Sequence, residues 1–394
     1  MNEAVNFRNT EVAFAAKSNN ELLKARFLFE LLRNKRLVAF GNGFIQWALK
    51  IGLPIEWLIK STVFKHFCGG ITLESCKPLV DKLEKTGVRA ILDYSVEGQD
   101  TDSQFDKNVL LIKEEIENAS KSKNIAFAVF KPTSIGRLED FQAASQQKNY
   151  TSEAFEAIKK RYVTIGETAA ALSQAIMIDA EESWMQAAAD DLAFDLMRRF
   201  NTDKVLIYNT FQLYLADRLD KLTDYALRAK EEGFKLGAKL VRGAYMEKER
   251  ARAKEMGYAS PICETKEATD ALYNQAVEFV FEHTDTVAVF IGTHNEQSTI
   301  KAARLAMEHY QTLDHPNVWF GQLQGMSDQI TYNMAEANAR VAKLIPYGPV
   351  KEVLPYLIRR AEENTSIAGQ TGRELSLLRK EMNRRKQASK VQSR

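Results

Sequence analysis

Eight short apolar runs, spread over the later three quarters of the chain, restrict the fold more than any other feature. They are Val88–Tyr94, Ile125–Lys131, Ala175–Glu181, Val205–Thr210, Ala238–Tyr245, Val287–Asn295, Val318–Gly325 and Val341–Gly348. Unbroken apolar character over such lengths suits strands buried on both faces, not half-exposed strands that alternate. Longer amphipathic segments lie between the runs, including Ser152–Ser173, Gln212–Gly233, Gln297–Tyr310 and Val350–Asn364. Strand and helix alternating eight times between Val88 and Asn364 predict an α/β fold closed as a (βα)8 TIM barrel. An open doubly wound sheet is the rival arrangement, and eight repeats fit it less well.

The segment before Thr86 has a different period. Leu22, Leu23, Phe27, Leu28, Leu31 and Leu32 recur at helical spacing. The expected division is therefore an N-terminal helical arm over 1–86, a barrel over 87–366 and a C-terminal helical tail over 367–394. The tail starts helical and ends basic, so a frayed, solvated terminus is expected. Val38–Gly52 imitates the start of a GxGxxG fingerprint, but Gln46 stands where the third glycine belongs and no βαβ pattern surrounds it. It is read as a loop leading into an amphipathic helix that packs on the barrel. Contact of the Ile45, Trp47, Leu49 and Ile51 region with a membrane surface is the alternative.

Composition removes several classes. The 394 residues carry a formal net charge of +2, which argues against a dedicated nucleic-acid binder. Three cysteines without CxxC spacing do not suggest a disulfide framework or a thiolate metal site, and a reducing compartment is expected. No signal peptide, Arg-rich transit segment or long uncharged apolar run is apparent, so no spanning helix is expected. Oligomeric state is not legible.

In barrels of this kind the working residues sit where strands end and loops begin. Polar residues gather at those places: Lys131, Asp179 with Glu181 and Glu182, Asn209 and Gln212, Arg242 and Gly243, Thr293, His294 and Asn295, and Gln322 and Gln324. Each alone suits a structural cap or a buried hydrogen-bonded group. The whole set at one rim points to a site. Lys131 or Lys239 is either a Schiff-base lysine or a fixed cation for an acidic substrate. The acidic run at Asp179 lacks a neighbouring histidine, which weakens a metal reading. His294 is either a base or a hydrogen-bonding partner for a cofactor. Beyond the eighth run, Arg359 and Arg360 are adjacent, with Glu363 at helical ion-pair spacing from both. Exposed, such a turn is ordinary; at the rim, two guanidinium groups suit a carboxylate or phosphate.

Longer motifs then carry a family resemblance. KLVRGAYMEKER, IGTHNE, IDAEESW, YNTFQLYLAD and PYGPVKEVLPYLIRRAEEN are long, stand in the expected order along the chain and together resemble proline dehydrogenase. So do FRNTEVAFAAKSNNELLKARFLF in the arm and HFCGGITLESCKPLVDKLEKTGVRAILDYSVE. The likeness covers most of the chain and matches the form without a fused aldehyde dehydrogenase domain.

The resemblance implies a distorted (βα)8 barrel with non-covalent FAD. L-Proline would be oxidised to Δ1-pyrroline-5-carboxylate, with hydride passing to flavin N5 and electrons to a quinone-type acceptor. Lys131, Arg359 and Arg360 would hold the substrate carboxylate, Glu363 would face the amine, and Asp179 would support the pocket. Tyr356 and Leu344 would line it. Arg242 would lie near N5, and Asn209, Gln212, Gly243, Lys266, Thr293, His294 and Gln324 would surround the cofactor. Lys131, Asp179 and Arg242 are thus the expected catalytic group. The family usually has tyrosine at position 344; leucine keeps apolar bulk and would remove a hydrogen-bond partner from Asp179. Hydroxyproline dehydrogenase is the near alternative, and a Schiff-base lyase or a non-catalytic carboxylate-binding barrel is the distant one. Quinone use implies peripheral contact with a membrane, and the expected location is the bacterial cytoplasm at the inner membrane.

Overall fold

The computed structural model describes residues 5–392 apart from 52, 54, 95–100, 148–149 and 367–369. Some helical side chains, Trp47 and Glu363 among them, also lie outside the described residues. Before the barrel come α1 (Thr10–Phe14), α2 (Asn19–Leu32), α3 (Lys35–Lys50), α4 (Glu56–Ile59), α5 (Lys65–Phe67) and α6 (Leu73–Glu84). Ser18 starts α2 with a capping box, its hydroxyl accepting from Glu21 N–H while Glu21 reaches back to the Ser18 N–H.

The strands are β1 (Arg89–Tyr94), β2 (Ile125–Phe130), β3 (Ile176–Ile178), β4 (Ile207–Gln212), β5 (Leu236–Val241), β6 (Val287–Gly292), β7 (Val318–Leu323) and β8 (Val341–Tyr347). They form one closed parallel barrel in chain order, with β8 pairing back onto β1. Each apolar run of the sequence supplies one strand. The barrel interior is filled by Ile91, Phe127, Val129, Met177, Tyr208, Phe290, Trp319 and their neighbours. A larger apolar shell joins the outer strand faces to the helices. Gly321 is required by this filling: a Cβ there would lie 2.1 Å from the ring tip of Phe290.

Around the barrel run α7 (Asp102–Ser120), α8 (Leu138–Gln146), α9 (Glu153–Ala171), α10 (Ser183–Phe200) and α11 (Arg218–Glu232). Then come α12 (Met246–Met256), α13 (Lys266–Glu282), α14 (Glu296–Tyr310), α15 (Asp328–Glu336), α16 (Val350–Ser366) and α17 (Gln370–Gln392). The helix expected from Gln212 begins only at Arg218, because Gln212 still belongs to β4.

Two expectations are corrected. The VAFGNGF stretch is not a loop but the middle of α3. Gly41 and Gly43 each cost about 1 kcal/mol of helix propensity, which packing of Val38 and Ile45 against a second core offsets. The tail is not frayed either. Leu375, Leu377 and Leu378 of α17 are buried in that same core, with Leu22, Phe29 and Leu32 of α2 and Val353, Leu354 and Leu357 of α16. Arg385 of α17 also donates to the carbonyls of Phe14 and Lys17.

The arm is bolted to the barrel by buried charge. Asp328 of α15 pairs with Lys17 at 2.6 Å and with Lys343 of β8 at 3.0 Å. Lys343 points outward from β8 and is fully buried, so it needs this partner.

Candidate active site

Strand alternation decides which side chains enter the barrel mouth. On β4, Tyr208 packs in the interior, while Ile207 and Phe211 join the outer shell. Thr210 therefore turns inward, where its hydroxyl donates to the Ile178 carbonyl and lies 3.5 Å from Asp179 Oδ1. Asn209 turns outward. Its amide donates to Asp190 of α10, which also pairs with Arg218 at 2.6 Å. Asn209 thus belongs to a buried strand–helix joint on the outer face of β4.

Two lysine–aspartate pairs occupy the mouth. Lys131, just past β2, donates to both oxygens of Asp93 at 3.0 and 3.1 Å. Lys239 of β5 donates to Asp179 at 2.5 Å. Burial by itself would raise the Asp179 carboxyl, but the charges of Lys239 and then Lys131 outweigh it and hold the group below its ordinary value. Asp179 keeps these partners although residue 344 is leucine. The rest of the acidic run is structural. Glu181 accepts from the Thr133 N–H and hydroxyl at 2.8 and 2.6 Å, burial raising it to about 7. Glu182 pairs with Lys248. Among the described residues no acidic or histidine cluster is arranged to hold a metal ion.

A second group surrounds the ends of β5 and β6. Arg242 donates to Asp270 of α13 at 2.6 Å, to the Thr293 hydroxyl at 2.7 Å and to the Ser298 hydroxyl at 3.0 Å. Its guanidinium also lies 4.4 Å from the Tyr273 ring centroid. Lys266 donates to the other oxygen of Asp270 at 2.5 Å. Arg242, Lys266 and Thr293 are therefore one network. Next to Thr293, His294 places Nδ1 2.9 Å from the Ser327 hydroxyl. Burial, then the charges of Lys343, Arg360 and Arg242, push the imidazole down to about 3, so it is neutral.

The remaining amides are held by loops. Gln212 donates to the Glu181 carbonyl at 2.7 Å and accepts from the Ala244 N–H at 3.2 Å, bracing the loop after β5. Gln324 receives its position from a backbone bond, its N–H donating to the Leu344 carbonyl at 2.8 Å. Gln322 is a structural bridge, donating to the Thr293 carbonyl and accepting from Thr331.

Helix α16 closes the arrangement. Arg359 lies 5.6 Å from the ring centroid of Tyr245, which follows Gly243 by two residues in the loop after β5. Arg360 is mostly buried and lies 5.3 Å from the ring of Tyr356. Its charge is felt at His294 across the mouth. Leu344 is half-buried on the interior face of β8. The side chain of Glu363 lies outside the described residues.

Gly243 has φ +139°, and a Cβ there would lie 2.4 Å from the Tyr214 ring, so packing of that ring requires glycine at this bend. Beside it Arg242 supplies the fixed positive charge that an anionic cofactor such as a flavin needs, and on that ground the residues present fit one.

A family model described as proline dehydrogenase matches residues 76–373. The chain belongs to the proline dehydrogenase family. It is 36% identical over 328 residues to the carbapenem antibiotics biosynthesis protein CarD of Pectobacterium carotovorum subsp. carotovorum, covering 82% of this chain and 85% of that protein. It is 30% identical to proline dehydrogenase 1, mitochondrial, of Dictyostelium discoideum over 96% of this chain and 74% of that one. A solved structure of proline utilization A from Bdellovibrio bacteriovorus, inactivated by N-propargylglycine, shares the fold with a TM-score of 0.72 at 18% identity. That match covers 94% of this chain and 38% of the longer protein. The chain is an oxidoreductase acting on proline.

For a proline dehydrogenase, several members of the mouth escape a reading of motifs alone. Asp93 stands inside the apolar run of β1 as its one carboxylate, and that misfit was its available signal. Lys239, the same kind of misfit in β5, was already a candidate on that signal. Asp270, Ser298, Ser327 and Tyr245 gave no signal, because their roles depend on contacts with Arg242, His294 and Arg359.

Proposed function

We propose that this chain oxidises L-proline to Δ1-pyrroline-5-carboxylate with non-covalently bound FAD, passing electrons to a quinone-type acceptor in the first step of proline catabolism. Bound FAD would supply the hydride acceptor. The chain's own residues bind and orient the substrate. Lys131, Arg359 and Arg360 supply positive charge for the carboxylate of a zwitterion. Asp179, kept ionised, and Asp93 hold the two lysines in place. Leu344 and Tyr356 provide apolar surface for the ring, which favours a fixed, water-poor approach geometry. Arg242, Gly243, Lys266, Gln212, Thr293, His294 and Gln324 form the cofactor side, with Asp270 fixing the guanidinium.

The observation that carries this reading is the placement of α16. It brings Arg359 over Tyr245, beside the Gly243 bend, and Arg360 within electrostatic reach of His294. Carboxylate-binding charge and a flavin-compatible loop thus share one mouth. A Schiff-base lyase is disfavoured because both candidate lysines are engaged with carboxylates at 2.5 to 3.1 Å. Hydroxyproline oxidation is the second reading, and Leu344 is the residue that favours it. The proposed location is the bacterial cytoplasm, peripheral to the inner membrane.

The test is anaerobic titration of the purified protein with L-proline and with 4-hydroxyproline. Full bleaching of flavin absorbance by proline is expected. A colourless protein that FAD cannot reconstitute defeats the proposal, and preferential bleaching by hydroxyproline replaces it with the second reading.

A further inference from the structure

Behind the mouth, α7 carries a carboxyl that the proposed chemistry leaves unused. Glu115 is 4% exposed. Its Oε1 accepts the Tyr347 hydroxyl of β8, and its Oε2 is buried with no hydrogen-bond partner among the described residues. An ionised carboxylate with one oxygen unpaired is costly there, so the neutral acid is favoured. Glu115 lines a cavity of about 20 Å3, room for one water, together with Lys131, Tyr94, Asn108 and Ser134. Lys131 is the lysine that donates to Asp93 at 3.0 and 3.1 Å. A buried acid and a cation of the mouth thus border one water-sized space.

The titratable and charged groups around this acid, among the described residues, come from several elements. Its own helix contributes Glu114, β1 contributes Asp93 and Tyr94, and the end of β2 contributes Lys131. Tyr347 comes from β8 and Cys76 from α6. Burial raises Glu115 to about 8; the Tyr347 hydrogen bond and Lys131 oppose that rise, while Asp93 and Glu114 add to it. Burial also holds the Tyr94 and Tyr347 phenols and the Cys76 thiol above their ordinary values, so none of them ionises before Glu115 does.

We propose that Glu115 is a positioning residue for the substrate carboxylate: neutral, it lets the Lys131 ammonium serve that carboxylate alongside Asp93; ionised, it competes for the same ammonium and repels the same anion. Its role rests on Lys131 meeting the carboxylate, as proposed above. The effect is reciprocal: a bound carboxylate favours the proton on Glu115 as much as that proton favours the carboxylate. Binding near pH 8 therefore takes up part of a proton.

Cyclopentanecarboxylate is the probe, because it has a ring and an acid but no amine to titrate. Its binding to the flavin-loaded enzyme is followed by calorimetry from about pH 6.5 to about pH 9.5, in two buffers of different ionisation enthalpy. Wild type should bind about fivefold more weakly at the alkaline end, with proton uptake greatest between the two ends. Glu115→Gln fixes a neutral side chain and should lose both the alkaline weakening and the proton uptake. Tyr347→Phe removes the bond that stabilises the ionised form and should move the weakening up by about one to two pH units. Lys131→Met should weaken binding at every pH. Wild-type affinity that is flat with pH, or weakening that persists in Glu115→Gln, overturns the role of Glu115, while lost affinity in Lys131→Met leaves the carboxylate reading standing. Lys131→Met with wild-type affinity throughout overturns that reading and the role of Glu115 with it. If Glu115→Gln does not fold, Tyr347→Phe decides: weakening at the wild-type pH overturns the proposal.

Discussion

The Glu374 carboxylate accepts the Ser327 N–H at 2.6 Å, and this bond connects the C-terminal helix to the barrel mouth. Ser327 is held in a left-handed conformation at φ 52°, and its hydroxyl meets His294. Burial, reinforced by Asp328, raises Glu374 to about 7. Glu374→Ala leaves a buried N–H without its acceptor and should cost about 1–3 kcal/mol. Glu374→Gln keeps an acceptor and should cost less. Chemical denaturation measures both, and flavin fluorescence during the same titration should show earlier cofactor release in the alanine variant. Equal stability of the alanine variant and wild type would refute the connection.

Arg359→Met and Arg360→Met each remove a cation from the mouth while keeping aliphatic bulk. A hydrogen bond to a charged group is worth about 1.5–3 kcal/mol, so KM for proline should rise roughly 10- to 150-fold. Flavin content and melting temperature should change little. Steady-state kinetics on flavin-normalised protein decides this. Loss of flavin with unchanged KM would return the two arginines to a purely structural role.

Leu344 sits on the interior face of β8. Leu344→Tyr adds a hydroxyl and bulk to the interior face of β8. It should shift the ratio of kcat/KM for proline over 4-hydroxyproline in favour of proline by roughly tenfold, the worth of one small steric or polar contact in a pocket. A ratio unchanged by the substitution would show that residue 344 does not face the ring.

Gly243→Ala must place a Cβ against the Tyr214 ring in a backbone conformation at φ +139° that other residues rarely adopt. The loop carrying Arg242 should shift. We expect weaker flavin retention, read by fluorescence after dialysis, together with a lower melting temperature. The double variant Gly243→Ala/Tyr214→Ala relieves the clash but not the strain and should recover only part of the loss.

Acid should destabilise the fold before most carboxylates titrate. Burial lowers His66 to about 4 and His294 to about 3, both from 6.5. Below pH 6.5 the unfolded chain binds protons that the folded chain refuses. Their stabilising effect is thus complete above that value and is lost as pH falls towards 4 and 3. Each pH unit across this window removes roughly 1.4 kcal/mol per histidine. His66 Nε2 lies 2.9 Å from the Gly325 carbonyl, so His66→Gln retains a donor there. The variant should lose less stability between pH 7 and pH 5 than wild type does, as measured by denaturant midpoints. Parallel loss in both proteins would assign the acid limb elsewhere.

By itself the sequence determined the barrel, because eight apolar runs, each too short for a helix of that burial, leave few ways to hide both faces. It also placed Lys131, Asp179, Arg242 and the Arg359–Arg360 pair at strand ends or just beyond the last strand. Tertiary structure decided what those residues do. Asn209 and Thr210 are neighbours, yet the two-residue strand period sends one to the Asp190–Arg218 joint and the other to the mouth. Lys239 and Asp179 are 60 positions apart, and only closure of the barrel makes them partners. The arm and tail depended on packing in the same way. A glycine-containing segment became the helix α3 and a basic tail became the buried α17, because one shared core rewards both more than local propensity opposes them.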